Sequence, residues 1–193
     1  MNKDEKLFLL GGAIFLLSQD GNQIQKMFDA IRKEVQPGSE KPLQIAREQE
    51  KTWKTYTTQK EKSDKIAQYF RECNYTSKEA YTWAWCQAFV SWCYLKAGNP
   101  LLPSDKQQWI SCSGCRDHYK SLGQLKDNAD IAVGDFVFMD LNKTGSPNHV
   151  GFVSDIVAPG AHVQTLEGNY SGAVNYVERK STIKDFMGCV SII

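Results

Sequence analysis

Cys86 and His149 are the two side chains whose settings suit nucleophilic chemistry. Cys86 lies in Trp83-Ala84-Trp85-Cys86-Gln87-Ala88-Phe89-Val90-Ser91-Trp92-Cys93, and His149 opens His149-Val150-Gly151-Phe152-Val153. Cys86, Phe89, Val90, Cys93 and Ala97 recur at helical spacing, and Gly98 and Pro100 end the run. That spacing puts Cys86 in the first turn of a helix. There the helix dipole lowers the thiol pKa from its free value of about 8.5, and a nearby imidazolium lowers it further. A thiolate formed in this way attacks an amide carbonyl, and water then hydrolyses the thioester. The pattern implies a thiol hydrolase with Cys86 as nucleophile and His149 as base.

The elements that must bring these residues together follow from a change of period. After residue 130 the pattern becomes strand-like: Phe136 to Met139, His149 to Ile156, His162 to Gly168, Val174 to Glu178 and Gly188 to Ile193. Short connections between them imply an antiparallel sheet of about five strands. A turn centred on Pro159-Gly160 would set His149 opposite Asn169 and Gly151 opposite Glu167. Direct and diagonal cross-strand neighbours are both within reach of long side chains. Asn169 and Glu167 are therefore the candidates to orient the histidine. Asp155 shares their face, but lies about 20 Å along the strand from His149.

The first third reads as helical. Leu7 to Leu17 is strongly apolar, and Ile24, Met27, Phe28 and Ile31 continue at three- and four-residue spacing. The apolar run is shorter than the roughly 20 residues of a membrane span. Its length suits a signal-peptide core, but no small-x-small cleavage site follows it, and a helix packed on the domain is the preferred expectation. Pro37-Gly38-Ser39 marks a break, dividing an appendage (1–38) from a domain (39–193) expected to fold and act without it. A second helix is expected over Pro42 to Glu50, and a third is expected to be capped by Ser63, with Ile66, Ala67, Tyr69 and Phe70 towards the core. The stretch from Gly98 to Asp130 reads as loop, anchored by Trp109. Helices first and a sheet after make an α+β fold.

Composition excludes some functions. The chain has 193 residues, 23% of them charged, and a net charge of +1. No basic stripe marks a nucleic-acid groove. Six cysteines in a chain of this length do not make a disulfide scaffold. Cys112-Ser113-Gly114-Cys115 resembles half of a zinc site, but no second pair completes it; Cys73, Cys189 and His118 could add ligands only through tertiary contacts. That pair is expected to lie in a loop and to be dispensable for chemistry. His118 and His162 are the other histidines, and neither heads a comparable strand.

The order Trp85-Cys86-Gln87-Ala88-Phe89-Val90-Ser91-Trp92, Gly134-Asp135-Phe136-Val137-Phe138, His149-Val150-Gly151-Phe152-Val153 and Glu167-Gly168-Asn169 resembles the CHAP amidase/peptidase domain of the NlpC-type, papain-like hydrolases. The resemblance spans roughly Ser63 to Ile193. It implies Cys86 as nucleophile, His149 as base, and Glu167 and Asn169 as polar partners of the histidine, with no cofactor or metal. It also implies peptidoglycan as substrate and action at the bacterial cell wall, by a secreted, delivered or phage-encoded protein. A delivered toxin would bring an inhibitory or immunity protein as a partner. Papain itself matches less well, because its oxyanion-hole glutamine would fall at Ala80. Two competing readings are a catalytically silent binding or structural module of the same fold, and a thiol-redox or zinc protein centred on Cys112 and Cys115.

Overall fold

The structure, a computed structural model, describes residues 6–10, 13–17, 37–158, 162–180 and 185–191. The chain divides into two compact units, Met1–Pro37 and Gly38–Ile193. In the first, β1 (Lys6–Leu10) and β2 (Ala13–Leu17) pair antiparallel, from Lys6↔Leu17 to Leu10↔Ala13. This corrects the helix expected over Leu7 to Leu17. Two five-residue apolar runs flanking Gly11-Gly12 are a hairpin signal, and a short apolar run has no period that separates strand from helix. The helix expected around Ile24 to Ile31 and the Pro159-Gly160 turn lie outside the described residues.

The second unit starts with helices. Helix α1 spans Pro37–Trp53, so the Pro37-Gly38-Ser39 stretch begins a helix. Proline is well suited to a first helical position, since its fixed φ is helical and its missing N–H would have had no partner there. Helix α2 spans Gln59–Glu72 and is capped by Thr58, not Ser63, through a reciprocal capping box with Glu61. Tyr69 and Phe70 on α2 are buried as expected. Helix α3 spans Cys86–Lys96 and ends where Gly98 takes a left-handed φ of +79°. Helix α4 spans Cys112–Ser121, inside the stretch expected to be loop. Its start is fixed by Ser111, whose hydroxyl accepts from the Gly114 N–H at 3.2 Å.

The sheet follows: β3 (Phe136–Met139), β4 (His149–Ala158), β5 (His162–Tyr170), β6 (Ala173–Lys180) and β7 (Phe186–Val190). Its order is β6-β5-β4-β3-β7, with every pair antiparallel. Phe152↔Leu166 and Val153↔Thr165 carry the register expected of the β4–β5 hairpin. The fold is α+β, with helices ahead of a five-stranded antiparallel sheet.

Helix α3 is the centre of the core. Every residue from Cys86 to Tyr94 is buried, not just one face. A helix apolar all round is buried all round, and α3 has neighbours on several sides. Tyr69 of α2 meets Phe89 and Trp92, while Phe152 of β4 stacks on Tyr94 at 5.9 Å. Trp85 stacks on Trp53 of α1 at 5.0 Å. Gly168 lets β5 approach α3 closely, since a Cβ there would stand 2.7 Å from Phe89. The opposite face of the sheet buries Val137, Met139, Val153, Val163, Phe186 and Cys189. The α3 axis is thus held against β4 and β5, and its first residue comes to the start of β4.

Candidate active site

Cys86 opens α3 behind Trp85, which has non-helical dihedrals and makes no side-chain cap. The first-turn N–H groups of a helix lack intrahelical partners, and here no cap hydroxyl or carboxylate takes them. Three donors reach the Cys86 sulfur. They are the Cys112 thiol, whose sulfur is 3.7 Å away, the His149 ring and the Gln87 backbone N–H. The Cys112 hydrogen bond, then the bond and charge of His149, then the Gln87 N–H outweigh burial. Together they hold the Cys86 thiol well below its ordinary pKa. Cys93, two helical turns further on, is pushed well up by burial and by the charge of Cys73, which outweigh the opposing charge of Lys65.

His149 Nε2 is 2.8 Å from Glu167 Oε2, which leaves the other ring nitrogen for the Cys86 sulfur. Burial works to lower the histidine pKa. The hydrogen bonds to Cys86 and Glu167, and then their charges, overcome it and carry the pKa up to about 9. Both shifts favour the thiolate–imidazolium form of the pair.

Glu167 is wholly buried, and an unpaired carboxylate in such a place would be costly. Arg179 on β6 answers it with two bonds, Nε to Oε1 at 2.8 Å and Nη2 to Oε2 at 2.6 Å. The Thr165 hydroxyl donates to Oε1 at 2.5 Å. Burial raises the Glu167 pKa, but the bonds from His149 and Arg179 and their charges bring it below the usual carboxylate value. Arg179 pairs in register with Val163, so its long side chain runs along the sheet to reach Glu167, with the Tyr170 ring over its guanidinium at 5.6 Å. Gly151 makes room for the carboxylate stem, since a Cβ there would sit 2.6 Å from Glu167 Cγ.

Of the residues singled out in the sequence, the structure brings Cys86, His149 and Glu167 together. Asn169 follows Glu167 on the same strand. It sits at φ +63° in the irregular stretch of β5 between Glu167 and Tyr170, and the ring bond goes to Glu167 instead. Trp85 and Trp92 are core residues, whereas Trp83 is 52% exposed. Trp109 anchors the segment before α4, taking the Ser91 hydroxyl on its carbonyl at 2.6 Å. His118 lies against Trp109 and His162 pairs with Glu178, so neither meets Cys86.

Arg179, Thr165 and Cys112 are residues of the site that were not singled out for it in the sequence. Arg179 reads as one more strand charge until β6 is folded beside β5. Cys112 was expected in a loop away from the chemistry, and this is corrected: it is the first residue of α4 and touches the Cys86 sulfur. The Ser111-to-Gly114 cap was the available clue to that helix. Among the described residues no three His, Cys, Asp or Glu side chains gather as a metal site would require.

Residues 76–169 match the family model of the CHAP domain. No curated protein and no solved structure matches the chain. The matched stretch runs from just before the Cys86 helix to Asn169 and so takes in Cys86, Cys112, His149 and Glu167, with Arg179 beyond its end. Residues 76–169 of this chain are a CHAP domain, built around a cysteine–histidine–glutamate line.

Proposed function

We propose that this protein is a cysteine amidohydrolase acting on peptidoglycan, cutting an amide bond of the bacterial cell wall through a thioester on Cys86. The observation that carries this reading is the hydrogen-bonded line from Cys86 through His149 to Glu167, set inside a CHAP domain. The CHAP domain points to peptidoglycan amidase or peptidase activity in general.

In this reading the Cys86 thiolate attacks the amide carbon, and the developing oxyanion is met by the uncapped start of α3, with the Cys86 N–H as one donor. The His149 imidazolium then protonates the leaving amine. Neutral His149 next takes a proton from water, which attacks the thioester and releases the acid. Glu167 fixes the ring so that one nitrogen always faces the sulfur and stabilises its charged form. Arg179 and Thr165 are positioning residues, acting on the reaction only through Glu167. Asn169 is assigned to shaping the backbone that follows Glu167. The substrate polymer is the partner, and the site of action is the cell wall.

The test is digestion of purified sacculi with the protein, followed by mass analysis of the released fragments. New amine and carboxylate ends at a single bond type are expected, absent with Cys86→Ser. Intact sacculi under both conditions, with Cys86 still unreactive towards a substrate-like electrophile, would favour a silent module.

A further inference from the structure

We propose that Cys86 and Cys112 form a peroxide-reactive pair, in which a hydroperoxide oxidises the Cys86 sulfur and Cys112 then closes a reversible disulfide on it. That this turns the enzyme off rests on the reading of Cys86 as nucleophile; the disulfide itself does not.

Geometry carries the proposal. The two sulfurs are 3.7 Å apart, on side chains whose backbones are 26 positions apart in the sequence. A disulfide bond is about 2.05 Å long, so the sulfurs must close by less than one atomic diameter. Their contact shows that the side chains already converge. Each cysteine is the first residue of its helix, Cys86 of α3 and Cys112 of α4, so both sulfurs stand at positive helix ends that favour thiolate. Both are nearly covered, Cys86 at 2% and Cys112 at 8% exposure. An oxidant of the size of water reaches such a place more readily than a bulky one.

The remaining cysteines set the contrast. Cys73 and Cys189 point their sulfurs at the carbonyls of Ala88 and Asp127, and Cys93 and Cys115 are wholly buried. Burial raises the pKa of all of these thiols. Only Cys86 combines thiolate character with a second thiol in contact.

The steps balance. The Cys86 thiolate attacks one oxygen of hydrogen peroxide, the O–O bond breaks, and hydroxide leaves to become water. Cys86 is then a sulfenic acid. The hydrogen bond to Cys86, then burial, then the Cys86 charge hold the Cys112 pKa well above its ordinary value. The sulfenic acid carries no such charge, so the first step removes the Cys86 contribution and makes the second thiol easier to ionise, with burial still acting on it. The Cys112 thiolate attacks the Cys86 sulfur, a second hydroxide leaves as water, and the S–S bond forms. Two thiols and one peroxide give one disulfide and two waters. A dithiol such as dithiothreitol reverses this by exchange, being itself oxidised to the cyclic disulfide.

The experiment uses the full chain, reduced and freed of reductant, titrated with hydrogen peroxide and then alkylated and mapped by peptide mass spectrometry. All six cysteines start as free thiols. Two are expected to be lost together, with one cross-linked peptide joining Cys86 to Cys112, and dithiothreitol should restore both. Hydrolysis of sacculi should fall with the appearance of the cross-link and return on its reduction. In Cys112→Ser, whatever its starting activity, peroxide should carry Cys86 on to sulfinic acid, and dithiothreitol should no longer restore function. In Cys115→Ser the Cys86–Cys112 link should still form. Sulfinic acid at Cys86 of the wild-type chain with Cys112 still alkylated, a Cys112–Cys115 link in its place, or an unchanged thiol count would each overturn the proposal. Failure of sacculus hydrolysis alone would strike the functional reading and leave the mapped disulfide to stand or fall by itself.

Discussion

Two histidine–glutamate pairs sit in the same sheet, and only one belongs to the proposed catalytic site. His149 meets Glu167 at the start of β4, while His162 meets Glu178 at the start of β5. Both pairs join neighbouring positions by a ring-to-carboxylate bond. They differ in surroundings. Glu167 has no exposed side-chain surface and Glu178 has nearly half of its own exposed. Glu167 is gripped by Arg179 and Thr165, and the ring it holds faces a sulfur at a helix start. Glu178 accepts from Gln164 as well as His162, in solvent. The bond between the two side chains is thus not what makes a site. Exclusion of water and a nucleophile on the far side of the ring do.

The largest effect should come from removing the nucleophile or base. Cys86→Ala and His149→Ala should each lower sacculus hydrolysis by about a thousandfold or more, and the double variant should be no worse, because the two act as a unit. Circular dichroism should show the fold kept. Activity surviving in His149→Ala but lost in His162→Ala would reverse the comparison.

Breaking the clamp comes next. Arg179→Ala leaves Glu167 buried with one charged partner fewer, and removal of one member of a buried pair costs about 3–5 kcal/mol. Chemical denaturation should show that loss. Turnover should fall more than KM rises, since Arg179 meets no substrate in the proposed mechanism. Arg179→Lys should recover part of the stability and less of the rate, because an ammonium cannot make the two-pronged contact. A Lys variant as fast as wild type would mean that charge alone suffices.

Gly151→Ala tests the same carboxylate through sterics. The new methyl group would have to displace Glu167 Cγ, at a cost of about 1–3 kcal/mol for overpacking. A rate loss larger than the loss in melting temperature explains is expected. Equal loss of both would make Gly151 merely a packing position.

The charge state supplies a smaller, directional test. The histidine ordinarily titrates at 6.5 and here at about 9, while the Cys86 thiol is moved down from 9.0. The raised histidine contributes stability that is fully present below 6.5 and is lost as pH rises through about 9. The lowered thiol contributes stability that is present above 9.0 and is lost as pH falls through its folded value. The two slopes oppose each other. The rate, kcat/KM, should hold level up to about 9 and fall above it as His149 loses its proton. By NMR, the His149 ring should titrate lower in Cys86→Ala, since the sulfur's bond and charge are among the causes that raise it. A ring that titrates unchanged would mean that Glu167 alone sets it.

Glu178→Gln should do least. An exposed pair contributes about 0–1 kcal/mol, so melting temperature and hydrolysis should stay near wild type. A marked loss of activity would show that the second pair is part of the site.

Much of this site was legible in the residues, and the legible part shares one physical origin. Cys86 was placed in a helical first turn by the Phe89, Val90, Cys93 spacing and the Gly98 stop, and His149 opposite the Glu167 segment by strand alternation and register. Those are local periodicities, and local backbone geometry imposes them within a few residues. The contact of His149 with Glu167 is one of the two that alternation allowed. Periodicity also has a blind side. The run from Leu7 to Leu17 has no decisive period and folded as a hairpin, and the α3 pattern showed one apolar face of a helix that is buried on all sides. What only the tertiary structure decided is what stands next to the reacting groups from distant parts of the chain. Arg179 reached Glu167 because β6 pairs with β5, and Cys112 reached Cys86 because two helix starts converge. Neither residue carries a local pattern that says so. A side chain's spacing records the element it belongs to, whereas its partner across space is chosen by how whole elements pack, and a single strand or helix start holds no trace of that choice.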